Sequence, residues 1–170
     1  MNIITMELIT IIVLMAVYDD LLRYKISNKI IAFGVMITAV YFGIYLLYGI
    51  VIKKDFLSSI DIWIKDSILG LLAGFFGMFM MYVFKAVGAG DVKLMGVIGL
   101  LGGIELVKYV LLYSLISGGI LGILGMVLKR CENMSKYGMN VHIMHYSLAI
   151  AAGVVLGMLK VCWQEVVLFE

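Results

Sequence analysis

The stretch KAVGAGDVKLMGVIGLLGG, from Lys85 to Gly103, places one carboxylate between two strongly apolar segments of the chain. Asp91 follows Gly88-Ala89-Gly90 and precedes a run made almost entirely of apolar residues and glycine. An acidic side chain at the edge of hydrocarbon is energetically costly and is therefore a candidate functional residue. Glycines beside it allow another backbone to come close. The stretch predicts a membrane helix that begins at a functional acid.

The composition of the whole chain is that of a membrane protein. Of its 170 residues, 64% are hydrophobic and 14% are charged, whereas soluble domains have roughly 45–50% and 25%. The net charge of +2 is too small to indicate binding to nucleic acid. We therefore expect an all-α polytopic protein in the lipid bilayer, with residues 1–170 forming a single transmembrane domain.

Hydropathy predicts a bundle of about six transmembrane helices, because a helix needs about 20 apolar residues to cross the hydrocarbon. Residues 53–66, which follow the second span, have apolar side chains at helical spacing and predict an interfacial amphipathic helix. The fourth span is short, so five or seven crossings stay open. The predicted spans are residues 2–18, 29–52, 67–87, 92–104, 106–128 and 145–163.

The distribution of basic residues predicts the orientation of this bundle. With six spans, the face that holds Asp91 carries eight basic residues and the other face carries five. Because basic loops stay in the cytoplasm, Asp91 is expected on the cytoplasmic side of the cell membrane and both termini outside. The eight are Arg23, Lys25, Lys29, Lys85, Lys93, Lys129, Arg130 and Lys136, and the five are Lys53, Lys54, Lys65, Lys108 and Lys160.

Asp91 has a candidate partner at the end of the first span, in AVYDDLLRYKISNKI, Ala16 to Ile30. Asp19 and Asp20 lie on the same predicted membrane face as Asp91. Two carboxylates at similar depth can share one proton and hold a water between them. The ionised acid can take a proton from that water, and the protonated acid can polarise a peptide carbonyl. This chemistry is peptide hydrolysis without a metal ion or a covalent intermediate.

A second interpretation treats the same acids as ordinary charges at the membrane boundary. Each of them could pair with a nearby cation such as Arg23, Lys25 or Lys93. Spacing alone leaves both interpretations open.

Two motifs resemble those of the type IV prepilin peptidases. GAGDVKLMGVIGLLGG resembles the GxGD signature of that family, including the Val-Lys-Leu that follows it. DLLRYKISN, Asp20 to Asn28, resembles the family's first motif, an aspartate followed six residues later by Ile-Pro-Asn. The resemblance covers the six-span plan and implies that Asp20 and Asp91 are the two catalytic aspartates. Asp19 points about 100° away from Asp20 on a helix, so both cannot address one water.

The sequence departs from the family pattern at three positions. Ser27 stands where the family usually has proline, and in HIMHYSLAIAAG His142 and His145 occupy positions where prolines are frequent. None of these changes removes an acid. Larger members carry an additional N-terminal region and a cysteine-bearing domain associated with N-methylation. The sequence has neither, so it is similar to the short form of Tad/Flp pilus systems, and we expect cleavage without methylation.

Four further motif residues are candidate site residues. Gly88 and Gly90 are expected to let the substrate backbone approach Asp91, with a loosened helix start as the alternative. Lys93 is expected to be a snorkelling interfacial lysine, with tuning of the carboxylate as the alternative. Asn28 is a candidate cap of the second helix.

We expect neither a metal ion nor another cofactor. His142 and His145 are three residues apart and could form a metal pair, but no further ligand lies near them in the sequence.

The resemblance implies a membrane aspartic endopeptidase that removes the leader from type IV prepilins at the cytoplasmic membrane face. The expected partner is a prepilin whose basic leader approaches the anionic leaflet while its apolar helix lies beside the enzyme in lipid.

Two other functions are kept open. One is a presenilin-like GxGD intramembrane protease with a different substrate, for which Tyr18-Asp19 would supply the Tyr-Asp dipeptide. The other is a non-enzymatic small transporter or assembly component that uses its acids as ligands. The flanking Ile26-Ser27-Asn28 favours the prepilin peptidases.

Overall fold

The computed structural model describes residues 3–52, 56–131 and 146–167 and places most of them in five helices. No strand occurs in these ranges, which confirms the all-α prediction. Helices suit a chain this apolar because each backbone polar group is bonded within its own helix, as the bilayer interior requires. The helices are α1 (Ile3–Arg23), α2 (Asn28–Ile52), α3 (Phe56–Val83), α4 (Ala89–Cys131) and α5 (Tyr146–Val167).

The described chain contains four helical stretches that are long and apolar enough to cross a membrane, so the protein is a multi-pass membrane protein. Hydropathy predicts six spans, which is more than these four stretches. Helix α1 is not among the four and carries three acids, Glu7, Asp19 and Asp20. The stretches are Asn28–Leu47, Asp61–Val83, Ala89–Leu124 and Tyr146–Gln164.

The predicted fourth and fifth spans belong to one element, α4, which is broken at Gly103. Gly103 has φ 72° and ψ −178°, a conformation that residues with a Cβ rarely adopt. The Asp66 carboxylate of α3 accepts a hydrogen bond from the N–H of Ile104 at 3.1 Å and so caps the helical arm after the break. The break at Gly103 lies next to the predicted boundary between the two spans.

The two arms of α4 run in opposite directions. The first arm runs from Asp91 to Gly103 beside Asp66, a length of about 18 Å at 1.5 Å per residue. The second arm runs back toward the end of the bundle that holds Asp91. On this arm, a Cβ at Gly118 would lie 2.6 Å from the ring of Tyr146. Tyr146 is in turn close enough to Asp91 to be influenced by its charge. Gly118 therefore lies near the level of Asp91.

The prediction of a separate interfacial helix over residues 53–66 is wrong for the part that the structure describes. Helix α3 continues without a break from Phe56 to Val83, because the sequence between Phe56 and Leu69 contains neither glycine nor proline, the two residues that disfavour a helix most. Trp63 stacks on Phe42 of α2, with ring centroids 4.9 Å apart. At Trp63 the predicted apolar face thus packs against another helix.

Glycines bring α3 and the first arm of α4 into backbone contact. A Cβ at Gly70 would overlap the carbonyl oxygen of Gly99, and a Cβ at Gly74 would lie 2.6 Å from that of Met95. Small residues permit such approach in lipid, where burial of apolar surface drives little association. The first arm is the centre of the buried core, with Leu94 and Met95 at 0% exposure. It is a fixed platform for the acid at its beginning.

Candidate active site

The two sequence motifs meet at one end of the bundle. A Cβ at Gly90 would lie only 2.9 Å from the Cβ of Ile26, so the start of α4 packs directly on the α1–α2 connection. The Nζ of Lys93 donates to the Oδ1 of Asn28 at 3.1 Å, across 65 residues of sequence. The space at Gly90 is therefore taken by the protein's own connection. Gly88 is exposed.

The start of α2 is capped by Ser27, and the expectation that Asn28 caps it is wrong. The Oγ of Ser27 accepts from the N–H of Lys29 at 3.3 Å, and its carbonyl accepts from the N–H of Ile30 at 3.1 Å. A serine one residue before the helix is a favoured cap because its hydroxyl satisfies an N–H that has no partner within the helix. Asn28 is instead the acceptor for exposed Lys93.

Asp19 holds the α1–α2 connection, residues 24–27, in place through two contacts. Its Oδ2 accepts from the N–H of Ser27 at 2.8 Å, and its Oδ1 lies 3.1 Å from the Nε of Arg23. The expected neighbour Arg23 is present, but Asp19 is more than a boundary charge because its carboxylate holds the backbone of the connection. A proline at position 27 has no N–H and could not make this bond.

Asp20 points into the protein from the last turns of α1. Its Oδ2 accepts a hydrogen bond from the Oγ of Ser147 on α5 at 2.6 Å. Asp19, Asp20 and Asp91 are each only 8% exposed. A buried charge requires polar partners, and here these partners come from different parts of the chain.

Asp91 lies in the first turn of α4 and is held by the glycine that precedes the helix. The N–H of Gly88 donates to the Oδ2 of Asp91 at 3.1 Å, while the carbonyl of Gly88 accepts from the N–H of Asp91 at 3.1 Å. This reciprocal arrangement resembles a capping box, and the helix N-terminus favours a negative charge. Asp20 lies close enough to Asp91 for the two charges to interact. The structure thus brings together the two predicted acids.

His142 and His145 lie outside the described residues. Within the residues that the structure describes, no group of three or more His, Cys, Asp or Glu side chains is arranged to hold a metal ion.

Two carboxylates whose charges interact can carry out a specific kind of chemistry. When both are ionised they repel each other, whereas one proton between them removes that repulsion. Such a pair can act on one bound molecule as base and acid at once. The type IV leader peptidase family matches residues 8–123 of this chain. This protein belongs to the type IV leader peptidase family.

The family match confirms the resemblance to this family, and the matched residues, 8–123, include both Asp20 and Asp91. This member of the type IV leader peptidase family is accordingly a membrane peptidase, and hence a hydrolase. Comparisons with curated proteins and with solved structures found no match to the chain.

The sequence prediction of this leader peptidase's site omitted one residue in direct contact with it, Ser147. A signal was present, because Ser147 is the only Ser or Thr between Tyr146 and Val167. An isolated hydroxyl in an apolar membrane helix is a candidate for a polar contact with another helix. The identity of its partner could not be inferred, since Asp20 is 127 residues away.

Proposed function

We propose that this leader peptidase is an aspartic endopeptidase in which Asp20 and Asp91 together activate a water molecule. The observation that carries the proposal is that two buried carboxylates, one from the end of α1 and one from the start of α4, lie close enough for their charges to interact. The motif contacts of Gly90 with Ile26 and of Lys93 with Asn28 keep these two helix ends together.

The proposed reaction begins with one of the two carboxyl groups ionised and the other protonated. The ionised carboxylate takes a proton from water as the water oxygen attacks the carbonyl carbon of the scissile peptide bond. The protonated carboxyl group donates its proton toward the carbonyl oxygen, where negative charge develops. When the tetrahedral intermediate collapses, the C–N bond breaks and the leaving nitrogen takes up the proton that the first carboxylate removed from water, while a hydroxyl of the intermediate returns a proton to the second carboxylate. The two acids exchange roles within each turnover.

The proposed substrate is a type IV prepilin-like protein of the Tad/Flp kind, cleaved at the cytoplasmic membrane face. Three points support this choice: the family match, the excess of basic residues on the face that holds the acids, and the apolar surface beside them. Leu21 and Leu22, next to Asp20, are 48% and 62% exposed. The apolar helix of a prepilin can lie along such a surface in lipid, with its basic leader at the anionic leaflet.

The deciding experiment compares three aspartate variants co-expressed with a prepilin from the same source. Asp20→Asn and Asp91→Asn each remove one ionisable group and nearly keep its shape. General acid–base catalysis is worth about 10²–10⁴-fold, so each should abolish detectable leader removal while the protein stays folded in the membrane. Gel mobility and mass spectrometry of the pilin measure the cleavage.

Asp19→Asn is the matched control. Asparagine retains an oxygen that can accept from the N–H of Ser27 but loses the ion pair with Arg23, so most of the activity should remain. Loss of cleavage in Asp19→Asn together with activity in Asp20→Asn would shift the dyad by one residue and favour the Tyr18-Asp19 pairing of the presenilin-like alternative. Full activity in Asp91→Asn would rule out the two-carboxylate mechanism.

A further inference from the structure

Ser147 is a fully buried hydroxyl in direct contact with one of the two proposed catalytic acids. It is 0% exposed, and its Oγ lies 2.6 Å from the Oδ2 of Asp20. This separation is within the range of short hydrogen bonds from a hydroxyl to an ionised carboxylate, about 2.5–2.7 Å. Such bonds are roughly twice as strong as those between neutral groups.

This hydrogen bond differs from those of two other buried hydroxyls among the described residues. Thr38 and Ser114 donate to a carbonyl of their own helix, Gly34 and Leu111 respectively. That is the common local pattern for such residues in helices. The bond of Ser147 instead joins α5 to α1 across 127 residues of sequence.

The start of α5 is anchored independently of Asp20. The hydroxyl of Tyr146 donates to the carbonyl of Ser114 at 3.2 Å, and the Oγ of Ser117 donates to the carbonyl of Ala149 at 3.1 Å. These contacts attach the residues on both sides of Ser147 to the second arm of α4. The donor that faces Asp20 is therefore presented by a fixed helix and not by a loop.

We propose that Ser147 is a positioning residue of the active site, which holds the carboxyl group of Asp20 in the orientation that faces Asp91. The inference rests on the proposed function and deepens it, because it makes the site a product of three helices. Asp91 is positioned by Gly88 from its own helix start, and Asp20 receives its equivalent support from α5. Ser147 itself forms no bond to the substrate in this proposal. It acts on the reaction only through Asp20.

The test compares Ser147→Ala with Ser114→Ala, a matched removal of a hydroxyl that is also 0% exposed. Purified variants are assayed on a prepilin peptide in detergent, with kcat and KM measured separately and thermal unfolding recorded alongside. A misplaced catalytic group costs on the order of 10²-fold. We therefore expect Ser147→Ala to lower kcat by about 10–100-fold with KM unchanged. Ser114→Ala should keep the wild-type kcat.

A conservative variant separates positioning from packing. Ser147→Thr retains the hydroxyl, so in folded protein it should recover most of the kcat that Ser147→Ala loses. If Ser147→Thr unfolds because its methyl group does not fit, the comparison of Ser147→Ala with Ser114→Ala still tests whether Ser147 positions Asp20. A Ser147→Ala enzyme with wild-type kcat would overturn the inference. So would a loss of kcat matched by an equal loss in Ser114→Ala, or a folded Ser147→Thr as slow as Ser147→Ala.

The aspartate variants measured in the same assay keep this result distinct from the proposed function. Inactive Asp91→Asn with fully active Ser147→Ala would leave the two-carboxylate mechanism in place and remove only the role of Ser147. Active Asp91→Asn would overturn both.

Discussion

At the scale of single residues, the absence of a side chain at Gly90 determines how closely the two acids can approach. A Cβ there would lie 2.9 Å from the Cβ of Ile26 and 3.4 Å from its carbonyl oxygen. Ile26 is buried, at 4% exposure, and belongs to the connection that Asp19 closes. A methyl group at position 90 must therefore push the α1–α2 connection away from the start of α4. The two carboxylates would be carried apart with it.

Gly90→Ala should lower the rate of leader cleavage by about 10–100-fold, because a displacement near 1 Å of a catalytic group costs on the order of 10²-fold. The overpacking itself is expected to reduce stability by only about 1–3 kcal/mol. Gly96→Ala is the matched control on the same arm, since its nearest atom would be the Cβ of Phe75 at an ordinary 3.8 Å. A Gly90→Ala enzyme as fast as Gly96→Ala in the cleavage assay would contradict this reasoning.

The residues of the candidate site were predictable to different extents. Asp20 and Asp91 could be chosen from the sequence because motif spacing is local: Ile26 and Asn28 set the register of one acid, and the glycines mark the other. The hydrogen-bond partners of Asp19 and Asp20 could not be predicted from the sequence. The bond from Ser27 to Asp19 depends on how the connection folds, and the bond from Ser147 depends on where α5 packs.

At the scale of the helices, the contact between α3 and the first arm of α4 holds the platform on which Asp91 is placed. Gly70 and Gly99 face each other so closely that a Cβ on either would overlap the backbone oxygen of the other. Backbone atoms cannot rotate out of the way as a flexible side chain can. Close packing of this kind tolerates no added volume without separation of the helices.

Gly99→Ala should therefore destabilise the protein in detergent by about 1–3 kcal/mol or more, through overpacking. Gly119→Ala on the other arm of α4 is the control, because no atom lies within 4 Å of a Cβ at that position. It should leave the thermal midpoint unchanged or raise it slightly, since alanine is favoured over glycine in helices by up to about 1 kcal/mol. Equal thermal midpoints for the two variants would show that the α3–α4 contact is looser than the structure describes.

The length of an apolar stretch predicts well that a helix is present. It predicts less well where that helix begins and ends. The break at Gly103 was anticipated as a division between two spans, and the structure adds that Asp66 caps the arm beyond it. The continuity of α3 was missed. An amphipathic pattern indicates which faces are apolar, but it does not tell whether the helix stops before the next span. The pairing of Trp63 with α2 is a tertiary contact that periodicity does not report.

At the scale of the whole molecule, the charges divide the described chain into two ends. The end with the acid pair carries Arg23, Lys25, Lys29, Lys85 and Lys93. The opposite end, around Gly103, has three described lysines, Lys65, Lys108 and Lys160, together with the acids Glu7, Asp61, Asp66 and Glu105. This asymmetry agrees in direction with the prediction made for six spans. Basic residues near the ends of spans are retained on the cytoplasmic side, so the acid pair is expected there.

Thiol labelling in intact cells tests this orientation. In a background where Cys131 and Cys162 are replaced by serine, Asp61→Cys places a thiol at an exposed position of the end opposite the acid pair, and Lys25→Cys places one at an exposed position beside the acids. A membrane-impermeant maleimide added to intact cells should label Asp61→Cys and leave Lys25→Cys unlabelled. Permeabilisation should then allow Lys25→Cys to react, which controls for its accessibility. The opposite labelling pattern would place the acid pair outside. A leader that stays in the cytoplasm could then not reach Asp20 and Asp91, and the proposed substrate route would be wrong even if both acids prove essential.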